Sequence, residues 1–114
     1  MTNEEAISLL RRYKRDVYRY NPKYILYAKQ NSYFQKCVYG RFLIDQVIEK
    51  LQHTEKSVIY VVNRIYSQLD EVLGDSDDDR FITHRFAAVV EYEAGNLLRY
   101  LNTVEKEKNE DAEN

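Results

Sequence analysis

Residues 11–29, RRYKRDVYRYNPKYILYAK, interleave basic side chains with tyrosines. Arginine and lysine neutralise phosphates, and an aromatic ring offers a face on which a base can stack. Arg12, Arg15 and Arg19 repeat at helical spacing, Arg11 widens their stripe, and Lys23 follows just after Asn21-Pro22. Phosphate binding is the chemistry these residues could do. The same residues equally describe a solvated basic helix face. Seven of the eleven tyrosines lie between Tyr13 and Tyr39. Tyrosine suits contact surfaces, because its ring is amphipathic and costs little entropy to hold. It also suits the rim of a small core with hydroxyls in water.

Other chemistries lack their parts. The three glycines, Gly40, Gly74 and Gly95, are isolated, so there is no glycine-rich phosphate loop. His53 and His84 stand far apart, and with Cys37 as the one cysteine no zinc site assembles from the usual spacings. Asp75, Asp77, Asp78 and Asp79 could face a hard cation, but the glycine and closing glutamate of a calcium loop are missing. They read more simply as a helix cap with solvated acids. Cys37 falls on an apolar stripe, which places it in a core rather than at a reactive site. Glu91 and Glu93 are two apart and point away from each other on a helix. The expectation is a protein that is not an enzyme and needs no metal or cofactor.

The elements that must position the basic residues are helices. The central one is Thr54–Gly74, TEKSVIYVVNRIYSQLDEVLG. Thr54 suits its N-cap, Glu55 its first turn, and Gly74 its C′ position. Val58, Val62, Ile65, Leu69 and Val72 form one apolar stripe; Ile59, Val62, Tyr66, Leu69 and Leu73 form another beside it. The spacing predicts a buried helix over 54–73. A first helix is predicted over 3–20, capped by Thr2 or Asn3, with a seam of Ala6, Leu10, Tyr13, Val17 and Tyr20. A second segment runs from Pro22 towards Leu51, with a break near 30–33, because Gln30-Asn31-Ser32 is poor helix. After the Asp75–Asp79 run, Ile82, Phe86, Val90, Ala94, Leu97, Leu101 and Val104 mark a last helix. From Glu105 onward apolar residues are nearly absent, and fraying into a disordered acidic tail over 106–114 is expected.

The predicted fold class is therefore all-α, a compact bundle of about four helices with a central buried helix, in one domain over 1–105. No apolar run reaches the length of about eighteen residues that a membrane span requires. The N-terminal residues lack the pattern of a signal peptide, and a lone cysteine fits a cytoplasmic location. Residues 1–41 hold nine Lys/Arg and three acids, a formal +6, while residues 42–114 hold eight and sixteen, a formal −8. Such asymmetry suits a charged partner or docking of one copy on another, so a homodimer is expected.

The strings FLIDQVIEKL, TEKSVIYVVNRIY, LDEVLG and RFITHRFAAVVEYEAGNLLRYL occur in that order over residues 42–101. In this order the chain resembles the small phage and prophage transcription regulators of the RinA and ArpU type, whose C-terminal part is similar to a sigma-factor region-4 helix-turn-helix. The resemblance implies DNA-associated transcription regulation, with Arg80, Thr83, His84 and Arg85 facing the duplex. Two departures stand out. The turn expected between Tyr66 and Leu69 is missing, and the presumed recognition helix opens with three aspartates that phosphates repel. Electrostatics therefore favours duplex DNA contact through Arg11, Arg12, Arg15, Arg19 and Lys23. The competing function is protein binding without DNA, as an adaptor or inhibitor docking on a host or phage protein, the acidic patch mimicking nucleic acid.

Overall fold

A computed structural model of the chain describes residues 1–19, 32–67 and 84–113. These residues form four α-helices and no strand: α1 Asn3–Val17, α2 Ser32–Leu51, α3 Val58–Ser67 and α4 His84–Glu113. The all-α bundle expected from the sequence is the fold.

α1 starts where Thr2 ends its extended conformation and its hydroxyl accepts the Glu5 N–H at 3.1 Å. The Thr2 hydroxyl also donates to the Glu5 carboxylate at 3.3 Å. Ala6, Leu10 and Tyr13 turn inward. The predicted seam fails at Val17, and its last member, Tyr20, lies outside the described residues. Val17 is 37% exposed, and Tyr18 leaves helical conformation to become fully buried. Two side chains of α2 make that exit possible by taking the carbonyls α1 can no longer satisfy. Arg41 Nε donates to the Tyr18 carbonyl at 2.8 Å, and the Cys37 thiol donates to that of Arg19 at 3.3 Å.

α2 begins at Ser32, within the predicted break, and runs through Gly40 without interruption. It is antiparallel to α1: Lys14 pairs with Asp45 at 2.8 Å, and Arg19 meets Cys37 near the helix start. At its end the Gln52 and His53 N–H groups satisfy the last carbonyls of α2. Asn3 donates to the carbonyls of Thr54 and Lys56, which pins this turn to the start of α1.

α3 starts later than predicted. Thr54 accepts the Lys56 N–H within the turn, and the cap is Ser57, whose hydroxyl accepts the Tyr60 N–H at 3.2 Å. Glu55 therefore lies before the helix and not in its first turn. Of the first apolar stripe Val58, Val62 and Ile65 are buried, together with Val61. Of the second, Val62 is buried, Ile59 is half-buried and Tyr66 is 42% exposed; Leu69, Val72 and Leu73 lie outside the described residues. The predicted continuation of this helix beyond Ser67 lies outside the described residues.

α2 packs against each of the other three helices, whereas the main packing of α3 is against α2 and α4. The middle of the bundle thus belongs to α2, through Cys37, Leu43, Ile44, Val47 and Leu51, which meet Val90, Ala94, Leu97 and Leu101 of α4. α4 runs to Glu113, well past Glu105, where the sequence predicts fraying. Its last stretch is tied to the start of α1: the Met1 amino group lies 3.7 Å from Glu105, and Lys108 is paired with Glu5. That pairing holds the Glu5 carboxyl below the usual carboxylate range.

Candidate functional site

Tyr18 organises the junction of α1, α2 and α4. Its ring fills the space beside Gly40 and meets the ring of Tyr13 edge-on, with centroids 5.7 Å apart. Tyr13 in turn packs on Tyr100 of α4, at 4.9 Å. Beside these rings lies Glu93, a carboxylate only 1% exposed. It accepts from the Asn96 amide at 3.0 Å and has the Lys36 ammonium at 3.9 Å. The Tyr18 hydroxyl is buried and makes no hydrogen bond to any described group. Burial, with help from Tyr13 and Glu93, pushes its ionisation well above that of a free phenol; burial does the same to Tyr13 to a smaller extent. This cluster fixes how α1 sits on α4. A signal for Glu93 exists in the sequence, because it falls between Val90 and Leu97 on the core seam of α4.

The basic residues lie on the other side of α1. Arg11, Arg12, Arg15 and Arg19 are all exposed. Arg15 pairs with its neighbour Asp16 at 3.2 Å, and the other three form no ion pair with a described residue. Lys14, between them, is half-buried and spent on Asp45. The flank is therefore an arginine surface held on a helix whose inner face is locked by Ala6, Leu10 and Tyr13. Of the remaining candidates, Lys23, Arg80 and Thr83 lie outside the described residues. His84 and Arg85 open α4, but their side chains lie outside the described set. The Asp75–Asp79 run also lies outside the described residues. Among the described residues no three His, Cys, Asp or Glu side chains come together to hold a metal ion. No described helix is long and apolar enough to cross a membrane.

A second polar surface lies at the turn joining α2 to α3, where Lys50, His53, Lys56, Tyr60 and Arg64 line a groove. Sequence reasoning missed it because its members come from two helices and a turn. Their grouping depends on the angle between α2 and α3. The fold and these surfaces define an all-α helical protein with basic faces at two ends. No family model, curated protein or solved structure matches the chain.

Proposed function

We propose that this chain is a non-enzymatic cytoplasmic regulator that works by binding, and that the α1 arginine flank contacts the phosphates of duplex DNA. The observation that carries this reading is the exposure of Arg11, Arg12, Arg15 and Arg19 together, with only Arg15 paired to an acid among the described residues. Four phosphate contacts would make affinity fall roughly a hundredfold between about 50 and 200 mM salt. The resemblance of residues 42–101 to phage-type regulators extends the reading to transcription.

Fluorescence titration of random and genomic duplexes at low and moderate salt tests it. Arg12→Glu combined with Arg15→Glu should abolish binding, while Arg85→Ala should matter less. Absence of binding at low salt would remove the DNA reading. The alternative is then a protein partner or a second copy of the chain. Tyr66 and Tyr92 favour it, being 42% and 68% exposed, with the Tyr66 ring beside Gly95, one turn along α4 from Tyr92. Light scattering across a concentration series separates self-association from a foreign partner.

A further inference from the structure

The groove at the α2–α3 turn has a volume of roughly 590 Å³, within the range of small-ligand sites. Lys50 and His53 reach it from the end of α2, Lys56 from the turn, and Tyr60 and Arg64 from α3; Glu49 is the one carboxylate on its wall. Three lysines elsewhere in the bundle are matched: Lys14 with Asp45, Lys36 with Glu93, Lys108 with Glu5. Here Lys50, Lys56 and Arg64 form no ion pair with a described residue.

Gathering like charges in one concavity is unfavourable unless something opposes them. The negative end of the α2 dipole accounts for Lys50. It does not account for Lys56, which precedes the positive end of α3, where a cation is disfavoured and the first turn offers no acid. Tyr60 is 47% exposed, and the Lys56 ammonium lies 5.4 Å from its ring centroid. An exposed ring with cations around it is the arrangement that holds a base or sugar beside a phosphate.

We propose that this groove binds a nucleotide unit. Lys50, Lys56 and Arg64 surround its phosphate, and Tyr60 offers a face to its base. The inference does not rest on the α1 arginines. Asn3 ties the start of α1 to this turn, whereas Arg11 to Arg19 lie towards the other end of that helix. No glycine-rich loop accompanies the groove, and among the described residues there is no cluster that could hold a metal ion.

The nucleotide unit could be free or part of a strand, and calorimetric titration of the full chain at low salt distinguishes these. The two probes are ATP and a single-stranded thymidine oligonucleotide of about ten nucleotides. ATP binding assigns a free nucleotide; binding of the oligonucleotide alone assigns a strand. In either case Lys50→Gln combined with Arg64→Gln should weaken affinity about tenfold or more, since two charge-assisted contacts are lost. Lys106→Gln, at an exposed position near the end of α4, should leave ATP affinity unchanged. Lys56→Gln, at an exposed position in the turn, gives an independent loss should the double variant fail to fold by circular dichroism. Wild-type protein that binds neither probe, or folded groove variants that bind as tightly as wild type, would overturn the proposal.

Discussion

The ring of Tyr18 occupies the space that a β-carbon on Gly40 would need. Glycine in a helix interior costs about 1 kcal/mol relative to alanine, so Gly40 looks like a weakness in α2. The contact explains it, because the bare Cα lets a large ring from another segment lie against the helix backbone. Gly40→Ala should therefore destabilise by about 1–3 kcal/mol despite the better helix former, since the fully buried ring has nowhere to move. Denaturant unfolding measures this. Combining it with Tyr18→Ala should add much less than the sum of the two single losses. Equal or higher stability for Gly40→Ala would show that the ring yields easily.

Gly95→Ala should do the opposite. A β-carbon there would make ordinary contact, 3.4 Å from the Tyr66 ring and 3.9 Å from Arg99. The helix gains propensity without a clash, so stability should rise by about 0.5–1 kcal/mol. A fall in the unfolding midpoint would mean that Tyr66 is held more tightly against α4 than its exposure suggests.

The Tyr18 hydroxyl is buried without a hydrogen bond to any described group, and such a group costs about 1–3 kcal/mol. Tyr18→Phe should leave stability unchanged or raise it at neutral pH. Tyr18 and Tyr13 both ionise above the ordinary phenol value of 10.0 in the folded chain. The protonated forms are thus favoured by folding. Their contribution is complete below pH 10 and is lost as pH rises from there towards the folded values. Melting curves should show stability falling above about pH 10. Tyr18→Phe should fall less steeply. An identical alkaline loss in that variant would assign the effect to other tyrosines.

Val62 has no exposed surface and lies inside the apolar cluster with Val58 and Ile65. Val62→Asp would bury an unpaired carboxylate, with a cost of roughly 3–5 kcal/mol. For a domain of this size that is a large part of the total stability. Circular dichroism at 25 °C should show partial or complete unfolding. A variant that melts like the parent would refute the placement of α3.

The local signals and the tertiary outcome diverge at identifiable residues. Thr2 caps α1 because a hydroxyl three residues before Glu5 satisfies a backbone donor nearby, and that is legible in four residues. Thr54 carries the same kind of signal for α3, yet Ser57 is the cap. Two candidates lie within one turn of each other there, and the pull of Asn3 on the Thr54 and Lys56 carbonyls holds the chain out of helix until Ser57. At the far end of α1, Val17 fits the helical seam and Tyr18 does not, but Tyr18 is the buried residue. Periodicity assumes that the helix continues. Here it stops, because Arg41 and Cys37 of α2 take up the carbonyls that follow.

By itself the sequence determined four helical segments, most of their inward positions and the exposed arginine flank of α1, all of which follow from spacing along one helix. Tertiary structure decided what depends on two segments meeting. It gave the bundle's middle to α2, set Tyr18 against Gly40, and grouped Lys50, Lys56 and Arg64 around one groove. A helical period orients side chains about their own axis. It carries no information about the angle and register at which a second helix arrives, and those are settled by packing.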